Sequence, residues 1–210
     1  MKSFVTEAIG TFFLVLTIGL TVIPQSPLAP LAIGSALMVM VYMGGPISGG
    51  HFNPAVTLAV WMRGKLPSAQ VLPYWLAQIT GALLAAIVVR VVLGSTFAPT
   101  PAAALVPALL VEILFTFALA LVVLNTATSA ATAGNSYFGL AIGFTIVVAA
   151  FAGGPVSGGA FNPAVGIGPT LVHLTGGGSL SALWLYIVGP LAGGALAALV
   201  FRVQHAGTAD

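Results

Sequence analysis

The sequence predicts an all-α membrane protein with six transmembrane helices and two re-entrant half-helices, arranged as an inverted 3+3 repeat. Three observations predict it. The 210 residues are 59% hydrophobic and only 4% charged, whereas soluble domains carry about 25% charged residues. No water-facing surface can be assembled from so few charges. Apolar stretches of about 20 residues, the length that crosses a bilayer, recur between Gly- and Pro-rich breaks. Finally, a phrase occurs twice: Gly44 to Val56 reads GGPISGGHFNPAV and Gly153 to Val165 reads GGPVSGGAFNPAV. The copies differ only at Ile47/Val156 and His51/Ala160, and Asn53 and Asn162 lie 109 positions apart, about half the chain.

The six spans are expected at about Phe4–Ile23, Leu28–Ser48, Ala69–Leu93, Ala104–Asn125, Ser136–Ala152 and Leu180–Val203. The first is expected to be retained, since Glu7 interrupts it early and has a counterpart at Glu112, which a cleaved leader would not. Turn chemistry separates the spans, as at Pro24–Pro27, Arg63–Pro67, Pro99–Pro101 and Gly176–Gly178. Two apolar pieces, Pro54–Met62 and Pro163–Leu174, are too short to cross. Each opens with Pro directly after Asn. Asn is a strong helix N-cap, and Pro fits the first helical position because that amide has no intrahelical partner. Both pieces are therefore half-helices. The Gly/Pro/Ser run ahead of each is expected to be non-helical, which membrane depth tolerates only where protein buries the backbone or it lines a wet cavity.

Thr6-Glu7-Ala8-Ile9 with Thr11-Phe12 matches Val111-Glu112-Ile113-Leu114 with Thr116-Phe117. The chain thus forms a single channel domain, 1–210, of two repeats at about 1–98 and 104–205. Each repeat contains three spans, an odd number, so the second enters from the opposite side. Lys2, Arg63, Lys65 and Arg202 then share one face, and only Arg90 falls on the other. Under the positive-inside tendency the termini are expected to be cytoplasmic.

Inversion brings the two half-helices in from opposite faces, with their N-termini meeting near the midplane. Each N-terminus carries roughly +0.5 of an elementary charge. Two such ends repel cations and protons, while a neutral dipole reorients and passes. The amide groups of Asn53 and Asn162 can each present N–H donors to the lumen. Two donors on one water oxygen interrupt a proton-hopping file. The alternative, that each Asn only caps its own helix, suits one isolated Asn-Pro-Ala better than two in matching intramembrane contexts.

The two Asn-Pro-Ala boxes (Asn53, Pro54, Ala55 and Asn162, Pro163, Ala164), the Ser48–Thr57 phrase SGGHFNPAVT, Ala77-Gln78 with Gly81-Ala82, and Gly189-Pro190 with Gly193-Gly194-Ala195 together resemble the major intrinsic proteins, the aquaporins and glycerol facilitators. The resemblance covers essentially the whole chain. It implies an aquaporin-like channel, usually a homotetramer with one pore per subunit, with Asn53 and Asn162 as lumen donors. It also implies that Glu7 and Glu112 accept hydrogen bonds from the loops before the half-helices. His51 either lines the mouth on the terminal side or packs locally. Gly189, Gly193 and Gly194 allow close helix approach. Trp61, Trp75 and Trp184 suit the membrane interface better than the pore.

The chain departs from the family at the outer constriction. The position that usually holds Arg is Val165, and the other constriction positions fall at Ile33, Ala150 and Gly159. This ring is small and apolar, and it lacks both the fixed positive charge and the His donor of typical water channels. It is expected to be wider than usual, admitting ammonia, urea, hydrogen peroxide or glycerol beside water, or else to dewet and close. Gly166 replaces the Asp of glycerol facilitators, so glycerol is not assigned as the main solute.

Function is therefore expected to be passive conduction of water and small neutral solutes with exclusion of protons and ions, in a multi-pass plasma-membrane protein. A coupled transporter would need intramembrane charge for ion coupling. A gated or non-conducting structural member, or a facilitator with low water permeability, remains the alternative. No nucleophile–base set, metal cluster or phosphate loop suggests an enzyme, and no metal or cofactor is expected. The chain has no cysteine, and its net charge of +2 provides no nucleic-acid footprint.

Overall fold

The structure, a computed structural model, describes residues 1–207; the last three residues of the expected channel domain lie outside the described residues. Its elements are α1 Lys2–Val22, α2 Ala29–Ser48, α3 Pro54–Met62, α4 Ser68–Leu93, α5 Leu105–Val123, α6 Phe138–Ser157, α7 Pro163–His173 and α8 Leu185–Gln204. Six of these helices are long and apolar enough to cross a membrane. The two short ones, α3 and α7, are the half-helices.

Boundaries differ from expectation in three places, each with a local cause. A π-helical turn, Leu124–Thr128, prolongs α5, and the hydroxyls of Thr126 and Thr128 donate back to the carbonyls of Val122 and Leu124. Helix α8 begins at Leu185, after a tighter approach in which Leu185 and Tyr186 bond three residues back. The largest correction concerns the Gly/Pro/Ser runs. Gly44–Ser48 and Gly153–Ser157 are helical, forming the last turns of α2 and α6, with Pro46 and Pro155 inside them. Proline near a helix end removes only one ladder bond. The turn then closes at Gly49 and Gly158, whose φ values of +91° and +85° form the left-handed cap that glycine favours. Ahead of the half-helices, non-helical backbone is confined to five residues in each half, 49–53 and 158–162.

The two halves pack as mates. Helix α1 lies on α4 as α5 lies on α8, α3 packs on α8 as α7 packs on α4, and α2 crosses α6 at the centre. That crossing places Gly34 on Gly143, themselves 109 apart. A Cβ on Gly34 would lie 2.5 Å from the Gly143 carbonyl oxygen, and one on Gly143 would lie 2.6 Å from that of Gly34. The reciprocity of this contact puts it on the pseudo-two-fold axis. Burying an extra carbon there would cost about 1–3 kcal/mol.

Candidate functional site

Each half-helix starts in the same way. Asn53 and Asn162 are extended at φ −157° and −162°, and each Oδ1 accepts the amide hydrogen of the second helical residue, Ala55 or Ala164, at 2.9 Å. Pro54 and Pro163 occupy the first position, where no donor is missed. The cap fixes Oδ1 and so aims each Nδ2 outward. Asn53 Nδ2 donates to the carbonyl of Phe161 at 2.8 Å, and Asn162 Nδ2 donates to the carbonyl of Phe52 at 2.9 Å. Each asparagine thus spends one N–H on the other half and keeps the second.

The carbonyls that receive these bonds come from residues in an unusual backbone state. Phe52 and Phe161 have φ of +50° and +49°, which costs of order 1–3 kcal/mol for a bulky residue. The loops are held in that state by two buried carboxylates. Glu7 accepts from Ser48 Oγ (2.7 Å), the amides of His51 (3.0 Å) and Phe52 (2.7 Å), and Gln78 Nε2 (2.8 Å). Glu112 accepts from Ser157 Oγ (2.7 Å) and the amides of Ala160 (3.0 Å) and Phe161 (2.7 Å). Tyr74 and Tyr186 donate to the carbonyls of Ser48 and Ser157 at 2.8 and 2.6 Å. Losing any of these acceptors would leave donors stranded away from water, at about 1–3 kcal/mol each.

The half-helix N-termini open into one cavity of about 380 Å³. Asn53 and Asn162 line its middle. The four constriction positions, Ile33, Ala150, Gly159 and Val165, all line it toward one end, where Phe97–Thr100 of the α4–α5 connector also enter the wall. Both Ala102 and Ala103 donate to the Val156 carbonyl (3.2 and 3.0 Å), which fastens that connector to the end of α6. Toward the other end the wall is aliphatic, with Val56, Leu119, Val123, Ile142 and Ile146, and its one imidazole is His51.

His51 both lines the cavity and packs locally. Its Nδ1 lies 3.1 Å from Thr57 Oγ1. The Thr57 hydroxyl donates to the Asn53 carbonyl (3.1 Å) and accepts from Gln78 Nε2 (2.9 Å). A hydroxyl has one hydrogen to give, so His51 Nδ1 is the donor in this pair. The acceptor Nε2 is thereby left without a protein partner. Of the tryptophans, Trp61 and Trp184 are exposed, whereas Trp75 Nε1 donates to the Pro54 carbonyl at 3.0 Å and so braces the first half-helix.

Several of these residues escaped the sequence reading: the Phe52 and Phe161 carbonyls, Ser48 and Ser157, Tyr74 and Tyr186, and the pair Thr57–Gln78. A signal existed for the paired ones. Ser and Phe recur within the duplicated phrase, and the tyrosines sit at matching places in α4 and α8, 112 apart.

A membrane-embedded cavity lined by two facing helix N-termini and no charged side chain defines a channel rather than a catalytic site. The comparisons specify which kind. The profile of the major intrinsic proteins matches residues 1–201, and the chain belongs to that family. It is 37% identical to "Aquaporin NIP1-4" of Oryza sativa subsp. japonica, over 97% of this chain and 77% of the relative. It is 38% identical to "Glycerol uptake facilitator protein-like 6" of Lactiplantibacillus plantarum, over 97% and 98%. Among solved structures it superposes on the aquaglyceroporin from Plasmodium falciparum with a TM-score of 0.84 at 21% identity, covering 95% of this chain and 94% of the other. The protein is a channel of this family, not an enzyme.

Proposed function

We propose that the protein conducts water together with small neutral solutes such as ammonia, urea, hydrogen peroxide or glycerol, and that it excludes protons and ions. The observation that carries this reading is the wall of the cavity. Ile33, Ala150, Gly159 and Val165 line it without a charge, while both half-helix N-termini open at its middle. Two positive helix ends raise the energy of a cation there, and the apolar ring removes an ion's hydration without replacing it. One N–H from each asparagine remains for a passing oxygen. A small ring without arginine leaves room for molecules larger than water. The names of the relatives, water channels on one side and a glycerol facilitator on the other, support a mixed range.

On this reading the chain is one channel domain of two inverted repeats, about 1–98 and 104–205, and it assembles as a homotetramer in the plasma membrane with both termini cytoplasmic. Support for the orientation comes from Arg63 and Arg202. Arg63 lies over the Phe201 ring, 4.7 Å from its centroid, and Arg202 donates to the Met62 carbonyl. Both therefore share the face of the C-terminus.

Stopped-flow light scattering on proteoliposomes tests the proposal. Wild type should shrink rapidly in sucrose and re-swell rapidly in urea or glycerol. Val165→Arg should slow solute entry at least about tenfold, a barrier increase of about 1.4 kcal/mol, with water flow retained. Water flow without solute entry would refute the wide constriction and leave a narrow water channel. Solute entry without fast water flow would mark a facilitator. No flow above empty liposomes would refute the open channel and leave a gated or structural protein.

A further inference from the structure

Two arginines occupy matching places in the repeats: Arg90 near the end of α4 and Arg202 near the end of α8, 112 apart like the paired tyrosines. Their surroundings differ. Arg202 donates to the Met62 carbonyl at the C-terminus of half-helix α3, a protein acceptor that uses the cation as a cap. At the corresponding end of α7 the chain continues into a short 3-10 turn, Leu174–Gly176. Arg90 finds there only a hydroxyl, Thr175 Oγ1, at 2.6 Å. That hydroxyl in turn donates to the Val172 carbonyl at 2.6 Å, which orients it as an acceptor for the guanidinium. Four of the five guanidinium N–H groups stay unused.

Beneath this cation runs a groove between α4 and α7, lined by Leu83, Ile87, Val91, Leu171 and Val172 along with Arg90 and Thr175. From Arg90 to Leu83 is seven residues, about 10 Å of helix. One leaflet of hydrocarbon is about 15 Å deep. The groove therefore descends through much of a leaflet from a headgroup-level cation. Among the described residues Arg90 is the one charged side chain on this face, since Glu7 and Glu112 are fully buried and the other cations lie on the opposite face.

We propose that this groove is a binding site for one anionic phospholipid, with its phosphate on the free guanidinium N–H groups of Arg90 and an acyl chain along Leu83, Ile87 and Leu171. Arginine suits a phosphate because its planar fork matches two phosphate oxygens. The symmetry-related groove is not such a site, because Arg202 is committed to Met62.

Native mass spectrometry of the detergent-purified protein, titrated with dioleoyl-phosphatidylglycerol or dioleoyl-phosphatidylcholine, tests this. Wild type should retain one phosphatidylglycerol per subunit more tightly than all later ones and more tightly than phosphatidylcholine. Arg90→Gln should weaken that first binding about tenfold, the scale of a charge-assisted hydrogen bond. Ile87→Trp, which fills the groove and keeps the charge, should weaken it as well, while Lys65→Gln on the other face should not. Equal affinity for the two lipids in wild type, which requires no variant to fold, would overturn the proposal. So would an Arg90→Gln titration that matches wild type. Loss in Arg90→Gln with Ile87→Trp unchanged would reduce the site to a headgroup contact and overturn the groove.

Discussion

The two halves of the pore reach the same backbone geometry by different means. In the first half, polar side chains hold the loop and half-helix: Thr57 collects bonds from His51 and Gln78 and gives one to the Asn53 carbonyl, and Trp75 reaches the Pro54 carbonyl. At the matching places the second half has Ala160, Gly166, Pro190 and Ile187. There the half-helix is held by close approach. A Cβ on Gly166 would lie 2.6 Å from Tyr186 Cβ, and one on Gly168 would lie 2.7 Å from the backbone of Ala82. What the halves share is narrower than their similar outlines suggest: a glutamate, a serine, a tyrosine and the two amides before the asparagine. That shared set fixes the loop, and the remaining support is interchangeable in kind.

Removing the shared part should be the most damaging change. Glu7→Ala strands four donors and Glu112→Ala three. Breaking a buried charged acceptor of this kind costs about 3–5 kcal/mol. Both variants should fail to give a monodisperse peak on size exclusion, and a well-folded Glu112→Ala would show that close packing alone holds the second loop.

Exchanging the unshared parts should cost less and unequally. Thr57→Gly leaves the Gln78 and His51 donors without their acceptor and adds a glycine to a helix, in total about 2–4 kcal/mol. The mirror change, Gly166→Thr, overpacks against Tyr186 at about 1–3 kcal/mol. Unfolding in denaturant should rank the pair in that order. The reverse order would mean that the hydroxyl network contributes little and that the first half also relies on packing. The smallest effect belongs to Trp75→Phe. It loses one hydrogen bond, about 1 kcal/mol, and should lower Tm by about 2–4 °C, while Ile187→Phe in the other half has no such bond to lose.

This contrast also explains what the sequence could reveal. The six spans, both half-helices and the inversion were legible because length, apolar run and duplication are properties of the chain alone. Pro54 and Pro163 marked helix starts to the residue. Pro155 misled, since a proline one turn before a helix end reads like a loop residue and the fifth span was expected to stop at Ala152. At the site, Asn53 and Asn162 stood out by repetition. That each would spend a hydrogen on the other half was not legible, because it depends on the left-handed backbone at Phe52 and Phe161, which no phenylalanine advertises. Thr57 and Gln78 entered only through the family resemblance, and their bond was not legible because they break the repeat, so comparing the copies gives them no role.

The exchange of hydrogen bonds between Asn53 and Phe161 and between Asn162 and Phe52 has a consequence for how the protein is made. A nascent chain that has delivered only its first repeat to the membrane holds an asparagine donor and a phenylalanine carbonyl with no protein partner. Both belong at mid-bilayer and both need water until residue 162 arrives. The first re-entrant loop therefore lacks two of its mid-depth protein hydrogen bonds when it is synthesised and completes them only with the second loop in place.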